Sequence, residues 1–141
     1  MRSWSPLGAL LLTACSSVSG PDWTRSVGVI EPRLSFMQTL RLPAEVTAGV
    51  PFTATVTTLG SSSCTRSDGA ETTIDGAGVD ITPYDLKRTG EVACTDDLGS
   101  FPRDVQLTFA DAGDVRVRVL GRDFSGAPVA FAITIPVRAG P

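Results

Sequence analysis

The stretch VQLTFADAGDVRVRVL, residues 105–120, decides the fold class. On both sides of its central turn-forming residues, apolar side chains stand at every second position, and polar side chains or arginines fill the positions between them. The apolar set is Val105, Leu107, Phe109, Val115, Val117 and Val119. A period of two is typical of strands that bury one face and expose the other. The stretch therefore predicts two strands, Val105 to Phe109 and Val115 to Leu120.

The same alternation recurs on either side of this stretch. In the predicted strand from Phe52 to Leu59, apolar residues alternate with threonines up to Thr57, and Val129 to Val137 carries a further apolar face. Weaker strand patterns, each bounded by Gly, Pro, Asp or Ser, occupy five more segments: Val27 to Ile30, Thr39 to Leu42, Thr72 to Ile74, Val79 to Tyr84 and Glu91 to Cys94. About seven to nine short strands at this spacing predict an all-β protein, specifically an antiparallel β-sandwich.

Composition limits the function classes. The 141 residues are 42% hydrophobic and 19% charged, with 14 glycines and 10 prolines, which suits one turn-rich domain plus a leader. The net charge of −3 provides no basic surface for nucleic acid. The absence of histidine removes the usual general base and the commonest metal ligand. We therefore expect no enzyme, no cofactor or metal, and no nucleic-acid partner.

The N-terminus has the pattern of an export signal. Arg2 precedes an apolar run that ends near Leu12, and this run is about half the length that a membrane span needs. The four residues Leu12-Thr13-Ala14-Cys15 resemble the lipobox of bacterial lipoproteins. This resemblance implies cleavage after Ala14 and attachment of lipid to Cys15, which would then hold the protein on a membrane. The alternative is an ordinary secretory leader that contains an inert thiol.

Three segments follow from this interpretation. Residues 1–14 are the predicted signal peptide, residues 15–25 the lipidated N-terminus and a flexible tether, and residues 26–141 the folded domain. The predicted location is the bacterial cell envelope. Ser16, rather than an aspartate, follows the cysteine, which in a Gram-negative cell resembles the pattern sorted to the outer membrane.

Two blocks of the chain resemble bacterial immunoglobulin-like domains. In residues 40–56 a first strand breaks at a Gly-Pro region before a second strand with an alternating core. Residues 107–117 resemble the later strand, the Asp-x-Gly turn and the penultimate strand of the same fold. The tyrosine usual in that penultimate strand is absent, because Val115 and Val117 stand there. The chain thus resembles uncharacterised bacterial lipoproteins built on an immunoglobulin-like sandwich, and the resemblance implies that fold.

The remaining two cysteines, Cys64 and Cys94, both stand where a strand pattern gives way to a loop. If Cys15 carries lipid, they are the only two thiols left in an oxidising compartment, so a disulfide is the expected state. Free thiols and a redox role are the alternatives. The spacing relative to Trp23 differs from that of antibody domains, and we therefore expect the bond to join two loops and not to cross the core.

The segments Ser61 to Ala70 and Thr95 to Arg103 are the predicted partner-binding loops, because they carry charged and apolar side chains beside the expected disulfide. The candidate binding residues are Arg66, Asp96, Asp97, Leu98, Phe101 and Arg103.

Other candidates have simpler explanations. Four aspartates could either bind calcium or be ordinary solvated loop carboxylates: Asp68, Asp85, Asp96 and Asp97. Asp75 and Asp80 could suggest an acid–base pair, although turn chemistry explains Asp75 better. Three arginines could either bind an anion or form a charged, solvent-exposed outer face: Arg116, Arg118 and Arg122. Tyr84 and Phe101 could form an aromatic patch or simply pack at the rim of the core.

Two functions remain open. The first is a non-enzymatic, lipid-anchored binding or structural module that recognises an envelope protein, a peptide or a glycan. The second is an enzyme inhibitor or enzyme accessory domain that acts through the disulfide-tied loops. No nucleophile elbow or phosphate loop is present in the sequence, which disfavours catalysis.

Overall fold

A computed structural model describes residues 22–34, 38–75 and 78–141. The predicted signal peptide, Cys15 and most of the predicted tether lie outside the described residues. The described part of the chain contains nine strands and no helix, and it therefore includes no helix long and apolar enough to cross a membrane. The strands are β1 (Trp23–Val27), β2 (Leu40–Arg41), β3 (Val46–Thr47), β4 (Phe52–Gly60), β5 (Thr65–Asp75), β6 (Gly78–Arg88), β7 (Gly99–Leu107), β8 (Gly113–Arg122) and β9 (Pro128–Arg138). The predicted all-β class is confirmed.

The strands form two sheets. One is antiparallel, with the order β2-β4-β7. The other has the order β1-β6-β8-β9-β3, with β5 paired to the remaining edge of β6. This second sheet is mixed, because β6 runs parallel to β8 and β3 runs parallel to β9. Two strands pair with the same edge of β6. Residues 78–81 pair with β8, and residues 84–88 pair with β1.

The core lies between the two sheets and explains the alternating sequence. Val117 and Val119 of β8 are fully buried, as are Ala54 and Val56 of β4, and these side chains belong to one cluster. The residues between them face outward: Arg116 is exposed and Arg118 is half-buried. The chain crosses between the sheets at Val29, which bridges Leu59 of β4 and Arg122 of β8.

Most of the predicted strands are found, several with shifted bounds and one in error; β7, for example, spans Gly99–Leu107 instead of Val105 to Phe109. The first strand begins at Trp23, so the last three residues of the predicted tether pair with β6. β5 covers residues 65–75 instead of residues 72–74, and much of a predicted loop is therefore strand. The segment from Glu91 to Cys94 is not a strand, because it belongs to the connection between β6 and β7.

Candidate functional site

The disulfide predicted from cysteine usage is present. Cys64 and Cys94 are bonded with an S–S distance of 2.05 Å and a Cα–Cα distance of 5.6 Å. Cys64 is buried at the end of the turn between β4 and β5, and Cys94 is exposed in the connection between β6 and β7. The bond therefore joins two connections at one end of the molecule and does not cross the core. We call residues 61–64 and 94–98 the disulfide-tied loops.

Hydrogen bonds hold the same two connections together. The backbone N–H of Thr95 donates to the hydroxyl of Ser63 at 2.9 Å. In the opposite direction, the backbone N–H of Ser62 donates to Oδ1 of Asp97 at 3.1 Å. The hydroxyl of Thr95 lies 3.0 Å from that of Ser61. A covalent bond and several hydrogen bonds thus fix the relative position of the disulfide-tied loops, which lowers the entropy that a binding event would cost.

Asp97 is the acceptor at the centre of this network. Hydrogen bonds from Ser62 and Thr95 to its carboxylate lower the pKa of Asp97 to about 2, because both favour the charged form. The carboxylate therefore has a positioning role inside the loops, and its neighbours Asp96 and Leu98 are exposed. Leu98 is 43% exposed, which makes it the large apolar side chain that these loops present to solvent.

Arg66 lies beside the disulfide-tied loops, but on a strand and not in a loop. It is the second residue of β5, and its guanidinium carbon lies 4.2 Å from the centre of the Trp23 ring on β1. The prediction that it belongs to a loop is wrong, because β5 pairs with β6 from Thr65 onward. Arg66 remains exposed and close to Cys64 in the chain, so it borders the candidate surface.

Arg103, predicted as a binding residue, is buried. Only 6% of its side chain is exposed, and its Nη2 lies 2.7 Å from Oδ1 of Asp85, which is fully buried on β6. It also donates hydrogen bonds to the carbonyls of Gly69 and Phe101. Arg103 is therefore unavailable to a partner. It joins β7 to β5 and β6 from inside the molecule.

Phe101 is also misplaced by the sequence prediction. β7 begins at Gly99, so Phe101 is a half-buried strand residue opposite Thr58 of β4. The inward positions of β7 are Arg103, Val105 and Leu107, so the strand pattern extends two residues before Val105. This extension is the sequence signal that could have placed Arg103 on the strand. An arginine at an inward position breaks the apolar pattern, so the alternation alone predicts a strand that begins only at Val105.

The polar cluster around Arg103 is not fully satisfied. Among the described residues, Oδ2 of Asp85 and Nε of Arg103 are buried without a hydrogen-bond partner. Thr58, fully buried on β4, donates its hydroxyl to Oδ1 of Asp85 at 2.9 Å. Burial also lowers the pKa of the nearby Lys87, which donates to the hydroxyl of Thr65 at 3.1 Å. The cluster lies under the disulfide-tied end of the sheets.

An aromatic and charged surface that the sequence did not predict lies on β1, β5 and β6. Arg25 lies 3.7 Å from the centre of the Tyr84 ring and forms ion pairs with Asp68 at 2.7 Å and Glu71 at 3.0 Å. Its hydrogen bond with Glu71 raises the pKa of Arg25. These partners are far apart in the chain, so only the strand pairing brings them together.

The remaining candidates are dispersed. The carboxylate of Asp80 accepts two hydrogen bonds from Arg118, at 2.8 and 2.5 Å, and the pKa of Asp80 is lowered as a result. The four aspartates considered for calcium are not gathered: Asp68 pairs with Arg25, Asp85 with Arg103, and Asp97 with the loops. Within the described ranges, no group of three or more His, Cys, Asp or Glu side chains could hold a metal ion.

Comparison of the chain with protein families, curated proteins and solved structures finds no match.

Proposed function

We propose that the protein is a lipid-anchored, non-enzymatic binding module of the bacterial cell envelope that contacts its partner through the disulfide-tied loops. The anchor is proposed on the four-residue resemblance of Leu12-Thr13-Ala14-Cys15 to a lipobox. The Cys64–Cys94 bond supports export from the cytoplasm, because stable structural disulfides are typical of oxidising compartments.

An immunoglobulin-like sandwich is the proposed class of the domain. In its support, the order β2-β4-β7 has the arrangement of strands A, B and E in such domains, and the β8–β9 hairpin that of strands F and G. Two pairings depart from the antiparallel sheets of that class: β6 pairs with β8 in parallel, and β3 pairs with β9 in parallel.

The single observation that carries the binding proposal is the rigid presentation of an exposed apolar side chain. Leu98 projects from a segment held by a disulfide at Cys94 and by the hydrogen bonds of Asp97. Covering an apolar side chain on a segment that is already held rigidly costs little conformational entropy, which favours its use as a binding contact. Asp96 on one side and Arg66 nearby supply charges at the border of this surface.

The test compares three baits on the native envelope: the wild-type protein, Leu98→Ser and Val50→Ser. Val50 is 50% exposed and follows β3, at the end of β4 opposite the disulfide. β4 has nine residues, so the two ends are separated by about 25–30 Å. We expect the envelope component retained by the wild-type protein to be retained by Val50→Ser and lost with Leu98→Ser. Equal retention by both variants would contradict the proposal.

The alternative function is an enzyme inhibitor or enzyme accessory domain that acts through the same loops, and an inhibitor of a protease predicts a different result. A rigid inhibitory loop is cleaved slowly by its target protease, and the cut would fall within residues 94–98. A binding module would show no such cleavage.

A further inference from the structure

Three side chains gather on the outer face of the six-stranded sheet, at the end where the described chain begins. Pro83 and Asp85 of β6 are buried toward the core, so Arg88 of the same strand points to the opposite, outer face. Trp23 of β1 is paired with Arg88 and shares this face. Arg66 of β5 reaches the same place, because its guanidinium carbon lies 4.2 Å from the centre of the Trp23 ring. We call Trp23, Arg66 and Arg88 the arginine–tryptophan surface.

The two arginines of this surface carry uncompensated charge. Neither forms an ion pair among the described residues, and the residues outside the described ranges include no Asp or Glu. Within the same part of the chain, Nε of Arg88 is buried without a hydrogen-bond partner. Arg25 pairs with both acids farther along β5, Asp68 and Glu71. The surface is therefore a local positive site on a chain whose net charge is −3.

The stacking of Arg66 on Trp23 prepares the guanidinium group to bind an oxyanion. An aromatic ring beneath a guanidinium holds its plane in place and leaves the N–H groups at its edge free to donate. Such an edge binds two oxygens of a phosphate group at once. Tryptophan is itself enriched at the headgroup level of membranes, because its ring is apolar and its N–H is polar. The combination suits a phosphate-bearing lipid surface.

The lipid anchor proposed above brings a membrane within reach of this surface. Cys15 and Asp22 are seven residues apart, so even a fully extended chain separates them by at most about 25 Å. A flexible tether of this length has a root-mean-square span of about 15 Å. Trp23 follows Asp22 directly. A short tether gives a millimolar effective concentration, so even a weak contact between the surface and the membrane is populated.

We propose that the arginine–tryptophan surface docks on the phosphate groups of anionic lipids in the membrane that holds the anchor. The inference rests on the proposed lipid anchor and adds an orientation to it. Arg66 and Arg88 bind phosphate oxygens, and Trp23 lies at the level of the headgroups. Because Arg66 follows Cys64 by two residues, the disulfide-tied loops then lie near the membrane and meet their partner there.

Proximity favours the membrane over a soluble anionic partner. Exposed acids at the same end of the molecule lie in the connections and not on the strands: Asp22, Glu91 and Asp96. These charges weaken the attraction of any anionic glycan or nucleic acid that must arrive by diffusion. The tether supplies closeness to the membrane that does not depend on charge.

The test measures contact between Trp23 and lipid headgroups in the mature protein. Cleavage after Ala14 removes Trp4 and leaves Trp23 as the one tryptophan, so its fluorescence reports on this surface. The mature wild-type protein, purified from its own host, is reconstituted into phosphatidylcholine vesicles with or without phosphatidylglycerol. Both contain a lipid with a spin-labelled headgroup as the quencher. We expect stronger quenching with phosphatidylglycerol, and we expect added salt to remove the difference because it screens exposed charges.

The decisive variant is Arg66→Gln with Arg88→Gln. Each arginine near an anionic surface shifts the docking equilibrium by about fivefold, so the ratio of docked to undocked protein should fall by about 25-fold. Arg41→Gln with Arg116→Gln is the matched control, because it removes the same charge from two exposed arginines. Arg41 lies on the three-stranded sheet, and Arg116 lies at the end of the six-stranded sheet opposite the disulfide. The control should dock as the wild type does.

Two further measurements make the comparison sound. Each protein is compared with itself in vesicles without the quencher, because the loss of Arg66 changes the surroundings of the Trp23 ring. Peptide mapping should find Cys64 still bonded to Cys94 in every variant, which shows that the substitutions leave this end of the fold intact. The comparison of the two lipid compositions in the wild type does not depend on any substitution.

The outcomes separate this inference from the anchor on which it rests. A mature protein that joins neither kind of vesicle refutes the anchor, and the docking with it. A protein that joins both kinds but shows equal quenching of Trp23 in both refutes the docking alone. Equal loss of quenching in the control variant would overturn the proposal, because general charge would then be responsible. Shielding of Trp23 from acrylamide in the native envelope, but not in phosphatidylglycerol vesicles, would also overturn it and assign the surface to a protein or glycan.

Discussion

Arg103 lies where three strands meet, and its guanidinium contacts groups on β5, β6 and β7. Its ion pair with Asp85 is almost completely buried, so each charge depends on the other to offset its loss of water. A structural role of this kind explains why an arginine stands in the inward series of β7. The sequence prediction chose Arg103 as a binding residue because it is one of several charged residues near Cys94. Its burial makes that prediction wrong.

Breaking this buried pair should cost more than removing it. We expect Arg103→Met to lower the free energy of unfolding by about 3–5 kcal/mol, because Asp85 is then left as an uncompensated buried charge. The double variant Arg103→Met with Asp85→Leu should be clearly more stable than Arg103→Met alone. Urea denaturation followed by circular dichroism measures the free energy of unfolding of the two single variants, Arg103→Met and Asp85→Leu, and of the double variant. A double variant whose cost equals the sum of the two single costs would contradict the account.

Asp97 predicts a specific acid sensitivity. Its pKa is about 2 in the folded protein against the ordinary value of 3.8, so its charged form favours folding. A lowered pKa contributes stability that is fully present above pH 3.8 and is lost as the pH falls through 2. We therefore expect the stability difference between wild type and Asp97→Asn to shrink across this range. NMR titration of the carboxyl carbon checks the pKa directly, and a midpoint near the ordinary 3.8 would rule out the proposed network.

At the scale of elements, the strongly alternating strands were predictable and the polar ones were not. β4, β8 and β9 fall where alternation places them, because each buries one face in the core. β5 has ten half-buried or exposed residues after a buried Thr65, so it has no apolar period. The position of β5 depends on its backbone pairing with β6, and this pairing cannot be predicted from the pattern of side chains. The parallel pairing of β6 with β8 is likewise a long-range choice that no local signal encodes.

The disulfide was predictable from cysteine number and expected compartment, whereas the loop network around it was not. Hydrogen bonds such as that from Ser62 to Asp97 depend on how the β4–β5 and β6–β7 connections meet in space. Leu98 was correctly predicted to lie in a loop, but Phe101 and Arg103 belong to β7. The candidate surface is therefore smaller than the sequence suggested.

The disulfide should contribute measurably to stability as well as to loop geometry. The two cysteines are 30 residues apart, and the loop-entropy estimate for this separation is about 3.6 kcal/mol. We expect the free energy of unfolding of the double variant Cys64→Ser with Cys94→Ser to be lower by about this amount. The variant should therefore unfold at a lower urea concentration while retaining its strand signal by circular dichroism. An unchanged midpoint would contradict the structural role of the bond.

At the scale of the whole molecule, the disulfide-tied loops lie at the end of the sheets where the described part of the chain begins. The described domain begins at Asp22, whose carbonyl accepts a hydrogen bond from the N–H of Thr89 near the same end as the disulfide. A chain anchored through Cys15 would therefore enter the domain near the disulfide-tied loops.

The measurement that tests the central claim most directly is metabolic labelling of the full chain with palmitate, combined with detergent partitioning. The account predicts that wild type carries the label and enters the detergent phase. Cys15→Ser should lack the label and leave the detergent phase or retain its uncleaved leader, while keeping the Cys64–Cys94 bond. Equal label on both proteins, or none on wild type, would contradict the claim that Cys15 anchors this domain to a membrane.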